Sequence, residues 1–535
     1  PAGSSDAAYL SKIIEVEEGD ILQPDAATRV YHLTKKDDID VEPTTVKEVT
    51  ISETTTNLSP TEIVNATSSS VEVPATVTTF GDFEAKSNNI DEALKELGAL
   101  YAKAPVDLIL TIDFQKEQSL NFTRVQANKL KIVFPDYIVF KAEEGIQGHE
   151  LILDGQVLSE NGSSYSRTLK VEGYKFSENA GAGKKPNGGT LTIEGVISME
   201  GEVVTSGVSG TGILSLVPKT VLREMTANSV TGVIQPEIKA ETTNIELNDL
   251  PDFLKDEETR MDITNPVILL RANNPLETPV EVDAVLTPMK DNAQIDGKEV
   301  KVGSGNGKTP VVLASGENVI ALSRTGESSI EEATNVKVED INNLLETIPD
   351  DIEVDLQPVV RNEGYYTAEL GRAYEMPSSY EVDVPLSFEQ NLNIVYNDSV
   401  QDLNKDLNDL DKVILKKANV LLTVDNAIPL KLQLKPENVL IKDVYGNELT
   451  AVKKTIEEDK QYVTESTDGE KPVTSELVLN LTSEDTAFLS KIDRICFKLT
   501  AVPGSATGVP LKDTQWLKVT SIKLSVPGGV NVDLN

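Results

Sequence analysis

The stretch "DITNPVILLRANNPLETPVEVDAVLTP", from Asp262 to Pro288, constrains this chain more than any other. Val267 and Leu269, then Val280 and Val282, alternate with their neighbours, the period of a strand with one buried face. Between them stand Asn273, Asn274 and Pro275. Asn tolerates left-handed backbone angles, and Pro presets φ while offering no donor, so the segment reads strand, turn, strand. The pattern recurs: "LLRANN" (Leu269 to Asn274) is matched by "LLTVDN" (Leu421 to Asn426) and by "ILTIDF" (Ile109 to Phe114). Leu270 and Leu422 lie 152 residues apart, and Leu110 and Leu270 lie 160 apart. Flanking segments repeat in the same order. "NIELNDLPDFL" (Asn244 to Leu254) parallels "NIVYNDSVQDL" (Asn393 to Leu403). "VKVEDINNLLETIPDDIEVDL" (Val336 to Leu356) parallels "LNLTSEDTAFLSKIDRICFKL" (Leu479 to Leu499). A match recurring at about 150 residues marks tandem units.

The expected organisation is an N-terminal leash with edge strands over 1–69, a diverged β unit over 70–230, and β units over 231–377 and 378–535. Each unit is expected to carry a short amphipathic helix. In the first it is "NNIDEALKELGALYAK", with Ile90, Leu94, Leu97 and Leu100 on one face. In the third it is "DSVQDLNKDLNDLDKV", with Leu403, Leu407 and Leu410 on one face and Asp398 or Ser399 as the cap. Alternating runs such as "GGTLTIEGVISMEGEVV" and "TQWLKVTSIKLSV" dominate elsewhere. The fold class is therefore mainly β (α+β): tandem antiparallel β-sandwich or β-roll units with short helices.

The Asn-Pro pairs Asn265-Pro266 and Asn274-Pro275, each beside an apolar run, resemble the strand pair of the late-embryogenesis-abundant type 2 β-sandwich. That resemblance covers 262–288 and implies a sandwich; the third unit lacks both pairs. The whole chain, with its acidic tandem units, is similar in style to surface lipoproteins of Bacteroidetes. This implies an exported protein of the cell surface or periplasm, tethered to the outer membrane by a lipid anchor outside this sequence.

Composition narrows the function. Asp and Glu number 87 against 49 Lys and Arg, a net charge of −38, which repels nucleic acid and anionic lipid head groups. The single cysteine, Cys496, excludes an internal disulfide and a Cys-rich zinc site. It is expected to be buried in the strand "RICFKL". "VGSGNGKTP" (Val302 to Pro310) has Val302 where a phosphate loop needs glycine, and a strand follows it where a helix must open. It is expected to be a hairpin loop, and "GAGKKPNGG" (Gly181 to Gly189) an exposed turn. Asp402, Asn404 and Asp406 start like a calcium loop. Leu407 then replaces the turn glycine and Val413 the bidentate Glu. The two histidines, His32 and His149, sit in unrelated contexts.

No catalytic, cofactor or metal motif is complete, and the chain is expected not to be an enzyme. Three functions remain in view. The first is a non-enzymatic exported protein acting by binding or adhesion to a surface ligand or protein. The second is a carrier of an apolar ligand such as a lipid, marked by an apolar tunnel between sheets and helices. The third is a carbohydrate-binding or carbohydrate-active protein, marked by exposed aromatics. For that last role the weak ligand platform is Tyr365, Tyr366, Tyr374 and Tyr380 in "GYYTAELGRAYEMPSSY", a segment also readable as the packing seam between units two and three.

Overall fold

The N-terminal segment does not trail as a leash. In the computed structural model, which describes residues 5–67, 70–247, 250–407, 415–527 and 530–533, strand β1 (Ala8–Tyr9) pairs near the C-terminus, with Leu517 and Trp516. Helix α1 (Leu10–Ile13) follows and buries Leu10. Strand β2 (Tyr31–Ile39) pairs over eight positions with 378–385. Alternating Tyr31, Leu33 and Ile39 give β2 a face that only another part of the chain can cover.

The first sandwich is built mostly from 44–234. One sheet has nine strands and the other six, around a core that includes Phe83, Leu110, Phe134 and Tyr174. The helix expected over 88–103 is absent. Its place is taken by the start of β3 (Leu94–Lys116), a strand of 23 residues paired with Tyr165–Lys175 on one side. Gly212–Leu222 and Met225–Ile234 pair on the other. The leucines at helical spacing fit either structure. Partners on both edges decided for the strand, with bulges that let consecutive residues be buried.

The second and third sandwiches share one strand plan. In the second, β4 (Thr243–Glu246), β5 (Val267–Asn274), β6 (Val280–Lys290) and β7 (Gly316–Ser323) lead to α2 (Asn343–Glu346). Strands β8 (Asp351–Val359) and β9 (Ser378–Pro385) follow. The third repeats this with β10 (Ile394–Val400), α3 (Asn404–Leu407), β11 (Lys417–Asn426), β12 (Lys431–Lys442) and β13 (Val473–Thr482). It ends with α4 (Phe488–Lys491), β14 (Arg494–Val502) and β15 (Trp516–Val526). One sheet runs β9-β5-β7 and its counterpart β15-β11-β13. The facing sheets run β4-β8-β6 and β10-β14-β12. Leu270 and Leu422 fall in equivalent strands, and Leu345 and Leu489 in equivalent helices.

Three details differ from the sequence reading. The second sandwich ends after Pro385 rather than at 377, because β9 pairs with β5 and β2. Asp398 and Ser399 cap no helix; they lie in β10. Helix α3 is one turn holding Leu407, while Leu410 and Val413 fall outside the described residues. The second core continues through Leu10, Ile14, Ile428 and Leu511 into the third sandwich. No helix among the described residues is long and apolar enough to cross a membrane.

Candidate functional site: an apolar cavity in the third sandwich

Between the two sheets of the third sandwich lies a cavity of about 370 Å³. One wall is Leu432, Leu434, Phe497 and Leu499, from β12 and β14. The other is Leu422, Val424, Leu477 and Leu517, from β11, β13 and β15. Leu10, Ile13 and Ile14 close one side from the N-terminal segment, and Phe253 of the second sandwich reaches in. Strand alternation puts every second side chain of both sheets into this space, which makes the lining almost wholly hydrocarbon. Only Tyr396 and Asp398, on edge strand β10, bring polar atoms to it.

The second sandwich has the same plan but no such space. Its interior gap is about 40 Å³, little more than one water's share. Leu270 and Val282 line it at positions equivalent to Leu422 and Leu434. Two tertiary differences fill it. Opposite Leu270 stands Tyr380, whereas Ile522 stands opposite Leu422. In addition, β2 extends the sheet beyond β9 by eight paired residues and inserts Ile39, whereas beyond β15 the third sandwich has two short pieces, the two pairs of β1 and the four of Val530–Asp533. The third sandwich is thus left open along the side where β10 faces β1. There Tyr396 and Val400 are 37% and 48% exposed, although they lie opposite the core-packing Leu499 and Ile495. At the corresponding strand of the second sandwich, Ile245 is buried opposite Ile352.

The four tyrosines do not assemble into a platform. Tyr366 is buried and donates to the Ile234 carbonyl at 2.9 Å; Tyr374 and Tyr380 are buried in the second core. Tyr365 donates to Glu96 Oε1 at 2.5 Å. Their segment is a seam, but between the first and second sandwiches. Tyr366–Glu369 leaves the second unit, pairs with Met225–Ile234 of the first, and returns. Exposed aromatics elsewhere, such as Phe80 and Tyr445, lie far apart in the fold, on the first and third sandwiches.

Both glycine-rich loops spend their amides on the chain's own carboxylates. The amides of Gly181 and Gly183 each donate to Glu96 Oε1 at 2.8 Å, and Lys185 Nζ lies 3.7 Å from Oε2. Burial pushes the Glu96 pKa up, but the Tyr365 hydroxyl, these amides and Lys185 outweigh it and hold it below the ordinary glutamate value. "GAGKKPNGG" is exposed, as expected, and its amides also cover a buried acid. In "VGSGNGKTP" the Gly305 amide donates to Asp283 Oδ1 at 2.9 Å, and Arg361 binds Asp283 and Glu281. That loop is no hairpin. Its flanking strands, Val300–Val302 and Val312–Leu313, both pair with β6 instead of each other.

Other buried carboxylates are also engaged. Asp262 accepts from Arg324 at 2.8 Å and from the Asn391 amide at 2.9 Å. Glu465 accepts from the Ser505 amide and hydroxyl at 2.5 and 2.7 Å. Nδ1 of His32 lies 2.6 Å from Asp383 Oδ1, and that hydrogen bond raises its pKa. His149 sits in a distant turn, where its carbonyl accepts from the Phe134 amide. Among the described residues no cluster of His, Cys, Asp and Glu is arranged to hold a metal; Asp402 pairs with Lys405 at 3.1 Å. Cys496 is half-buried, not buried. Alternation points it away from Ile495 and Phe497, to the face where its partner Leu440 is 40% exposed.

A larger groove of about 1360 Å³ lies between the first two sandwiches. Its walls mix Lys47, Lys95 and Lys239 with Glu42, Asp91 and Glu237, and it encloses no apolar surface comparable to the cavity.

The cavity was legible in part. The alternating runs of β11 and β12 are plain in the sequence, whereas Tyr396 carries no role there and Asp398 reads as a helix cap. Their signal was a polar interruption on the inward face of "NIVYNDSV", spaced two apart.

No family model and no curated protein matches the chain. Among solved structures it is similar to "a putative secreted protein from Parabacteroides distasonis", with 16% identity over 56% of this chain and 89% of that one, at a TM-score of 0.42. A triple jelly-roll protein of an archaeal virus shows 10% identity over 88% of this chain and 91% of that one, at a TM-score of 0.10. Neither superposition reaches the level at which a common fold would follow.

Proposed function

We propose that this is an exported binding protein, without catalytic activity, whose third sandwich holds the hydrocarbon part of an amphiphilic ligand. The single observation that carries this reading is the cavity of about 370 Å³ with a nearly all-hydrocarbon lining and one open side. Ligand sites are typically about 300–1,000 Å³, apolar, with a few polar groups at one end. At roughly 30 Å³ per methylene, the share of a water, the space suits about a dozen carbons. Each buried methylene contributes about 0.8 kcal/mol, so a dozen supply a driving force of the same order as the cost of association. Glu96, Asp262, Asp283 and Glu465 accept hydrogen bonds from their own chain, which supports binding over acid–base chemistry. Export rests on the chain's likeness in style to surface lipoproteins, and intact-cell protease shaving tests it.

The binding test is direct. Protein purified from its own host is extracted with organic solvent, and the lipid-free protein is titrated with monomeric dodecanol. A co-purifying amphiphile and saturable 1:1 dodecanol binding are expected. An empty extract with no dodecanol binding overturns the reading.

A further inference from the structure

We infer that the open side of the cavity selects an amphiphile with a protonated amine head, held by the carboxylate of Asp398. This deepens the reading of the cavity as a hydrocarbon site and rests on it.

Strand β10 is the edge of its sheet, so its inward side chains meet the cavity on one side and solvent on the other. Asp398 lies opposite Phe497, itself a wall residue, yet remains exposed. A carboxylate placed where strand alternation calls for an apolar side chain works against packing, and at the same position of the second sandwich, opposite Val354, stands the uncharged Thr243, with Ile245 next along that inward face. Its contacts are local. The Ser399 amide donates to Oδ1 at 2.7 Å, and the Tyr396 hydroxyl reaches Oδ2 at 3.4 Å. Among the described residues no lysine or arginine forms an ion pair with it. The nearby cations are turned elsewhere. Lys498, next to Phe497, points to the opposite face and is held by Glu258 at 2.9 Å. Lys431 lies over the Tyr462 ring at 4.2 Å.

A chain seated among Leu432, Leu434 and Leu499 would leave its first atoms beside Asp398 and Tyr396. An ammonium there gains a charge-assisted hydrogen bond at the margin of an apolar, weakly screening space. A hydroxyl gains less, and a carboxylate is repelled.

The test uses the full chain and three probes of one length below their micelle concentrations: dodecylammonium, dodecanol and dodecanoate. Dodecylammonium is expected to bind about three- to tenfold more tightly than dodecanol, with dodecanoate the weakest. Asp398→Asn should bring ammonium and alcohol to within about twofold of each other, by weakening dodecylammonium several-fold more than dodecanol. Equal binding of ammonium and carboxylate by the native chain overturns the inference and leaves the hydrocarbon site standing. An ammonium preference that survives Asp398→Asn also overturns it, by assigning the preference to the net charge of −38. Failure of dodecanol itself to bind removes the site and the inference together.

Discussion

Asn274 and Asn426, 152 residues apart, make the same three hydrogen bonds. The side-chain amide of Asn274 donates to the carbonyls of Thr278 and Leu313, and its Oδ1 accepts from the Leu276 amide. That of Asn426 donates to Leu430 and Thr464, and its Oδ1 accepts from Ile428. Both are buried, and each closes the turn between the paired sheets of its sandwich. The turn residue read in the sequence is thus the polar joint of each unit. Replacing either with Ala strands two carbonyls and an amide away from water, at about 1–3 kcal/mol. Each variant should lower the denaturation midpoint in proportion. A cost below half a kcal/mol would mean that the turn satisfies itself by other means.

The equivalent leucines should respond in opposite ways to the same substitution. Leu270→Phe enlarges a side chain in a filled interior and should destabilise by about 1–3 kcal/mol. Leu422→Phe places its ring in the cavity, should cost little, and should weaken dodecanol binding at least several-fold. Thermal melts and calorimetry of the two variants check this; equal destabilisation would contradict a real cavity.

His32 makes a small pH-dependent contribution. The hydrogen bond to Asp383, strengthened by the charges of Asp383 and Asp25, raises the imidazole pKa against the opposing effect of burial. A folded-state pKa above the unfolded value stabilises fully below about pH 6.5, and the gain is lost as pH rises through the folded pKa. With side-chain exposures of 26% and 29%, the pair is worth no more than about 1 kcal/mol. Stability followed from pH 6 to 8 should fall in the native chain relative to His32→Asn. Parallel curves would show the pair to be energetically silent.

The cover over Glu96 predicts a severe glycine effect. A methyl at Gly183 would meet the Tyr365 hydroxyl, the Leu97 carbonyl and the Glu96 carboxylate together. Gly183→Ala should therefore loosen the 178–189 loop and expose it to limited proteolysis. Glu96→Ala should cost about 1 kcal/mol, the low end for a lost acceptor, because water can reach the shallow loop amides. A Gly183→Ala loop as resistant as the native one would refute the cradle.

Cys496 offers a reporter on the outside of the same sheet. It should label in the native state, more slowly than a fully exposed thiol, and at a rate that dodecanol does not change. Protection by dodecanol would place the thiol on the cavity side.

Local chemistry wrote much of this molecule into its sequence. Alternating runs made it mainly β, and the recurrence of "LLRANN" as "LLTVDN" carried the tandem plan down to the paired asparagines. These features need only neighbours a few residues away or a second copy of the same pattern. Contacts across the chain decided the rest. Leucines at 94, 97 and 100 suit a helix, yet strands from 165–175 and 225–234 claimed them for β3. The glycine loops looked open until Glu96 and Asp283 were found in them. Residues 1–69 read as a leash with edge strands, yet β2 completes the second sandwich, while the third has two residues of β1 and four of 530–533 along the matching edge. One continuous cover fills the second sandwich, and the cavity lies in the one edged by two short pieces. The physical reason is that a sandwich closes only when both edges are covered, and β1 and β2 reach their edges from hundreds of residues away, where no local period records them.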